Sequence, residues 1–286
     1  MAKPIIAIVY DFDKTLCDQD MQNYSFIPHL DMTPDEFWGE IGEFQEKENM
    51  EGILSYLYMM VKKSKEKGIP ISKDYLKSLG KDVHLYPGVK EWFARINQFG
   101  QENGVIVEHY IISSGIKDII EGTEIANEFK AIYACDFYYD EKGDVVWPKI
   151  AINFTLKTQY MYKINKGIKD ITDAEEVNKK TKIKRVPFQN MIYIGDGLTD
   201  IPCMTMLKKQ GGRSIGLYTN KTLDNVQQFL LDERINFICK ANYSENSKLD
   251  KIVKLIISSC ALNTRLEIEE EKQIRQVEAR QIKEGM

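Results

Sequence analysis

The chain has few of the residues that would make it a disulfide framework or a zinc protein. Its five cysteines (Cys17, Cys135, Cys203, Cys239 and Cys260) are odd in number, scattered, and form no C-x-x-C pair. They read as reduced thiols of a cytoplasmic protein. The three histidines, His29, His84 and His109, are far apart in sequence and do not suggest a histidine metal cluster. No apolar run approaches the ~20 residues needed to span a membrane. Met1-Ala2-Lys3-Pro4 leads straight into an apolar strand without a signal-peptide pattern. A formal net charge of −4 over 286 residues gives no electrostatic footprint for nucleic acid. No internal repeat is present. These absences leave a globular protein with neither a membrane nor a nucleic acid as its expected partner.

Two short aspartate motifs stand out. Asp11-Phe12-Asp13-Lys14-Thr15 follows Ile5-Ile6-Ala7-Ile8-Val9-Tyr10, and Gly195-Asp196-Gly197-Leu198-Thr199-Asp200 follows Met191-Ile192-Tyr193-Ile194. An apolar, β-branched run that ends in acids reads as a buried strand delivering carboxylates to a loop. Acids seldom stay buried unpaired, so four of them at two strand ends call for a cation.

Thr33-Pro34-Asp35-Glu36 is a helix start with a capping hydroxyl, a proline in the first turn and acids at the positive end of the dipole. Helices are expected over 34–48, 50–67 and 73–81, so 17–83 reads as a small helical insert without strands. Pro87 opens a helix to about residue 99. Residues 105–112 form a strand ending at Ser113-Ser114-Gly115, followed by a helix over 117–130. A hairpin of strands 132–137 and 145–147 turns at 140–144. Thr155 is expected to cap a helix over 156–166, and the polar 169–187 segment reads as a surface helix or loop. Beyond the second aspartate motif come a helix at 201–209, a strand at 214–218, a helix at 222–233, a strand near 236–239 and a long helix from about 247. Alternating strands and helices after residue 84 indicate an α/β fold, a Rossmann-like three-layer core with a mainly parallel sheet. In such sheets ligands meet the carboxyl ends of the strands, where the runs ending at Asp11, Ser113 and Asp196 converge.

Phosphoryl transfer needs a positioned nucleophile, charge neutralisation on the phosphate and a proton for the leaving group. Asp11 suits the nucleophile. Asp13 suits the acid and base. Mg²⁺ suits an all-oxygen site of this kind, with Asp11, the backbone carbonyl of Asp13 and Asp196 as ligands. Asp200 would bind the ion or orient its water. Ser113, with Ser114 as the alternative, and Lys157, with Lys149 and Lys163 as alternatives, would hold phosphate oxygens. Thr15 is expected to hold its loop through a local hydrogen bond, and Gly195 and Gly197 to support the second motif.

Asp11-x-Asp13-x-Thr15, a serine after a strand, a lysine near a helix start and Gly195-Asp196-Gly197-x-x-Asp200, in that order, resemble the haloacid dehalogenase superfamily. The second acid of the first motif resembles its phosphatases, and the last motif its phosphoserine-phosphatase-like branch. The resemblance covers about 1–16 and 84–240 and implies a C1-type cap of 17–83 that closes over the site; the core domain is expected over 1–16 and 84–286, with 264–286 a charged C-terminal helix. It also implies that Asp20 contacts a substrate amine. One departure matters: residues 18–83 contain no arginine, against 13 acids and 8 lysines. The bidentate carboxylate grip that phosphoserine phosphatases take from a cap arginine has no counterpart there.

The expected activity is therefore Mg²⁺-dependent hydrolysis of a small phosphorylated metabolite through an aspartyl-phosphate. The alternatives are a phosphotransferase using the same intermediate and a non-catalytic binding or regulatory protein. The tail reads as a solvated helix, too short in heptads for a sustained coiled coil; Leu266, Ile274 and Val277 are spaced for a narrow seam, so the alternative is a weak homodimer contact.

Overall fold

The computed structural model describes residues 3–168 and 184–284, together with Glu175, Asn178 and Lys179. The surface segment expected at 169–187 therefore lies largely outside the described residues. Seven strands make one sheet: β1 (Ile5–Tyr10), β2 (Ile106–Ile116), β3 (Phe129–Tyr139), β4 (Val145–Ile150), β5 (Met191–Gly195), β6 (Arg213–Tyr218) and β7 (Phe237–Lys240). Their order is β4-β3-β2-β1-β5-β6-β7. Every pairing is parallel except that of β3 with β4, so the expected α/β fold is found.

β1 is the centre of the sheet. Ile6 to Tyr10 are fully buried, as expected for an apolar run covered on both faces. Its Tyr10 hydroxyl accepts from Trp92 Nε1 at 2.7 Å and lies 2.9 Å from His109 Nδ1, while His109 Nε2 lies 3.1 Å from Asn97 Oδ1. This chain of contacts satisfies four polar side chains in the core, with His109 Nδ1 as acceptor and Nε2–H as donor.

Between β1 and residue 84 the described chain is helical: α1 (Phe26–His29), α2 (Pro34–Glu48), α3 (Gly52–Lys67) and α4 (Lys73–Leu79), with two 3₁₀ turns. Thr33 and Glu36 form a full capping box at the start of α2. Glu51 caps α3 through the Leu54 N–H at 2.9 Å, and Gly68, at φ +69°, ends it. Leu57, Met60 and Leu76 are buried within this helical region.

α5 (Val89–Glu102) leads into β2. It starts after Gly88 rather than at Pro87. Gly88 has φ +80°, and a Cβ there would lie 2.4 Å from the Ser244 backbone nitrogen, so only glycine fits. β2 does not stop at Ile112 but carries Ser113, Ser114 and Gly115 within the strand to Ile116, with an irregular register against β3.

The helix expected over 117–130 is replaced by α6 (Lys117–Glu121) and a 3₁₀ turn at Ala126–Glu128. α6 ends where Gly122 meets α4: a Cβ on Gly122 would stand 1.8 Å from the Lys77 carbonyl oxygen. β3 then starts at Phe129 and is longer than expected. The β3–β4 hairpin turns at Asp140, whose Oδ1 accepts from the Lys142 and Asp144 N–H groups.

α7 (Phe154–Lys166) is capped by Asn153, whose Oδ1 accepts from Leu156 N at 3.0 Å, and not by Thr155. Asparagine two residues earlier wins because its side chain reaches the free N–H of the third helical residue. α8 (Ile201–Lys209), α9 (Leu223–Leu231) and α10 (Lys248–Glu284) complete the chain. Helices flank the sheet in two groups, α5 against α10 and α7 against α8.

Candidate active site

Register brings the two motifs together. Tyr10 pairs with Ile194 across β1 and β5, and the Asp11 N–H donates to Ile194 O at 2.9 Å. Asp11 and Asp196 therefore leave neighbouring parallel strands at the same edge. This is the carboxyl edge beside the central strand, where connections run off in opposite directions and ligands are expected.

Three carboxylates gather there. Oxygen atoms of Asp11, Asp196 and Asp200 all lie within 4.8 Å of one another. Lys157 enters from the first turn of α7 and is fully buried. Its Nζ lies 2.9 Å from Asp11 Oδ2 and 2.8 Å from Asp200 Oδ1. Burial pulls the Lys157 pKa down, but the Asp11 and Asp200 carboxylates override it and the net shift is upward. The ammonium is therefore fixed in its charged form.

The carboxylates respond in the opposite sense. Burial first, then the Asp200 charge, raises Asp11 to about 6 despite Lys157 and the Phe12 N–H, which donates to Oδ1 at 2.7 Å. Burial and the charges of Asp200 and Asp11 raise Asp196 well above the usual carboxylate range. One ammonium does not balance three acids, of which Asp11 and Asp200 are buried and Asp196 half-buried. This all-oxygen donor set with an excess of negative charge fits a hard divalent cation.

Asp200 is held from three directions. It accepts from Lys157, from the Tyr193 hydroxyl at 2.8 Å and, through Oδ2, from the Gly197 N–H at 3.2 Å. Gly195 permits this: a Cβ there would stand 2.4 Å from Asp200 Oδ2. Gly197 meets no such limit, with nothing within 4 Å of its Cβ position. Thr15 does not bond locally as expected. Its hydroxyl lies 3.3 Å from Asp196 Oδ1, a contact between the two motifs.

Asp13 sits beside the helical region. Its Oδ1 accepts from the Met21 N–H at 2.8 Å. Burial, then the Asp20 and Asp11 charges, raises its carboxyl well above the ordinary range. Gly115 lets it approach β2, since a Cβ there would lie 2.9 Å from Asp13 Oδ2 and 2.1 Å from Met21 Cε. Asp20 forms an ion pair with Lys14 at 2.7 Å, partly exposed. Lys14 is a non-glycine residue at φ +57°, a strained conformation of the sort that collects at functional loops.

The two serines are distinguished by their partners. Ser113 is fully buried, and its Oγ accepts from the Gly115 N–H at 3.0 Å, leaving its own proton to donate. Ser114 donates its hydroxyl proton to Ile152 O at 2.7 Å. Of the alternative lysines, Lys149 lies 3.3 Å from Asp136, and Lys163 stacks on Tyr160. Neither has a contact with the three carboxylates among the described residues.

Sequence reasoning missed Tyr193, Tyr56 and Tyr86. Tyr56 donates its hydroxyl to Ser114 O at 2.5 Å, which ties α3 to β2. The Tyr86 hydroxyl is buried with no hydrogen-bond partner among the described residues, and burial together with the Asp196 charge raises it to about 12. The signal available in the sequence was a phenol inside an otherwise apolar strand, as at Tyr193: a buried hydroxyl needs a partner at the strand end.

The family model described as putative phosphatase matches residues 6–212, which takes in every residue of this site. The chain belongs to the putative phosphatase family. Among relatives, an uncharacterized protein of Borreliella burgdorferi is 29% identical over 275 residues, spanning 86% of this chain and 94% of that one. Among solved structures, a HAD family hydrolase from Salmonella enterica serovar Typhi superposes with a TM-score of 0.57 at 15% identity, over 89% of this chain and 72% of the other. A probable phosphoserine phosphatase from Vibrio cholerae gives 0.54 at 14%, over 92% and 67%. A phosphoserine phosphatase described as a phospho-aspartyl intermediate analogue gives 0.52 at 15%, over 88% and 99%. At these identities the structural likeness is one of fold. That fold agrees with the haloacid dehalogenase resemblance of the motifs.

Proposed function

We propose that this family member is a Mg²⁺-dependent phosphatase that hydrolyses a small phosphomonoester through an aspartyl-phosphate on Asp11. The observation that carries the reading is the buried Lys157 between Asp11 and Asp200, with Asp196 completing an acid cluster beside them. Asp11, Asp196 and Asp200, with the Asp13 carbonyl, would hold the ion, which when bound neutralises the acids and the phosphate oxygens and orients the ester for in-line attack.

The remaining roles belong to this chain's own groups. Both Asp11 oxygens are restrained, one by the Phe12 N–H and one by Lys157, so the carboxylate is aimed before substrate arrives. Attack forms the Asp11 oxygen–phosphorus bond as the ester oxygen–phosphorus bond breaks. Asp13, with its raised pKa, gives its proton to the leaving oxygen. Asp13 then takes a proton from water as that oxygen bonds to phosphorus and the Asp11 link breaks, releasing phosphate. The Ser113 hydroxyl and Lys157 supply a hydrogen bond and a charge to the phosphate oxygens. Residues 17–83 act as a cap whose Met21 and Tyr56 meet the core beside the site.

Aryl phosphate hydrolysis by purified protein, with Mg²⁺ and with chelator, tests this. Turnover should require Mg²⁺, and Asp11→Asn should abolish it while the folded spectrum is unchanged. Quenched turnover of the wild type should show phosphate on the peptide carrying Asp11. Full turnover in Asp11→Asn would overturn the mechanism.

A further inference from the structure

The last helix is longer than the core it packs on. α10 runs 37 residues, Lys248–Glu284. Its first turns bury Leu249, Val253, Ile257 and Ala261. Beyond Ala261 no described side chain is buried, yet apolar residues continue: Leu262, Leu266, Ile274 and Val277 are 52–69% exposed. With the equally exposed Leu255 they fall within an arc of about 120° at 100° per residue, which makes a single stripe. At its core end the stripe borders a groove of ≈ 510 Å³ lined by Phe237, Leu255, Ile256 and Leu266. The family match, residues 6–212, ends before this helix.

The charges along the projecting part are sorted by sign. Residues 265–271 carry one arginine against four glutamates, a net −3. Residues 272–284 carry four cations, Lys272, Arg275, Arg280 and Lys283, against Glu278 and Glu284, a net +2. The ion pairs Lys272–Glu269 and Arg275–Glu271 bridge the boundary, but both are exposed and leave the apolar stripe uncovered. A segment that is −3 and then +2 complements itself only when turned end for end. A parallel pair would set like charge on like charge.

We propose that α10 pairs with α10 of a second copy of this chain, antiparallel, crossing near residues 271 and 272. That crossing lays each acidic half on the other copy's basic half. It sets Leu266 level with the second copy's Val277 and turns both apolar stripes inward.

The full-length protein tests this by light scattering coupled to size exclusion, at about 50 µM, where weak micromolar pairs are still populated. The expected mass is twice the 33.1 kDa of the chain. The double variant Leu266→Glu, Val277→Glu should run as a monomer with unchanged turnover and melting. All five native cysteines are buried, so a spin label on Gln281→Cys reports one site per chain. The labels should stand about 28 Å apart at 1.5 Å per residue for the antiparallel crossing, against about 10 Å for a parallel pair. A monomeric wild type, a dimer that survives the double variant, or labels at the parallel distance would each overturn the proposal.

Discussion

Lys157 Nζ stands 2.8 Å from Asp200 Oδ1, with both side chains fully buried, and the same ammonium reaches Asp11 at 2.9 Å. Removing one member of such a set leaves buried charge without a partner. Lys157→Met should therefore lower stability by about 3–5 kcal/mol. Urea melts measure it, and because a divalent cation competes for the same acids, added Mg²⁺ should recover part of the loss. Turnover should fall by about 10²-fold or more, since a charge facing the transferring phosphate is gone. A melt indistinguishable from wild type would contradict the reading of Lys157 as counter-ion.

Thr15 links the two aspartate motifs through Asp196. A group that orients a metal ligand typically changes metal affinity about 10–100-fold. Thr15→Val should weaken Mg²⁺ binding by that amount in calorimetry, with little change in the melt of the metal-free protein. Unchanged affinity would reduce Thr15 to a loop support.

The two glycines of Gly195-Asp196-Gly197 should separate on substitution. An alanine methyl at 195 would press on Asp200 Oδ2 from 2.4 Å, and the space at 197 is open. Gly195→Ala should cost about 1–3 kcal/mol and disturb Asp200, with a matching drop in turnover. Gly197→Ala should remain within about 1 kcal/mol of wild type, since its φ of −130° suits any residue. Equal effects at both positions would contradict the packing described for Asp200.

His109 gives the fold a pH dependence of its own. Burial lowers its pKa from 6.5 to about 3. Between those values the unfolded chain binds a proton that the folded chain refuses. Stability is therefore complete above about pH 6.5 and falls as pH drops toward 3, by up to about 1.4 kcal/mol per unit from this residue. His109→Gln should melt less steeply with acid over that window. An identical pH slope would show that another group sets it.

Much of the site could be read from the chain because its acids directly follow apolar runs. A strand buried on both faces leaves one place for Asp11 and Asp196, the loop at its end. The order of strands in the sheet needed the structure, since β1 pairs with both β2 and β5 and neither pairing is local in sequence. Local rules misjudged places where another element intervenes. Gly122 stops α6 because α4 is in the way, and Asn153 rather than Thr155 caps α7. The serine choice, Ser113 over Ser114, became physical only once the partner of each hydroxyl was known. Thr15 was expected to bond within its loop, and nothing near it in sequence reveals a partner at position 196.

The β1–β5 pairing also sets when this protein can begin to work. Asp11 is among the first residues made and Asp196 comes 185 residues later, yet their strands are immediate neighbours. During synthesis the strand that ends at Asp11 must wait for most of the chain before its second neighbour exists, and closing so long a loop is slow. A translation product that ends before Asp196 would carry Asp11 but no acid cluster. Under the proposed mechanism, turnover would require the chain at least through Asp200.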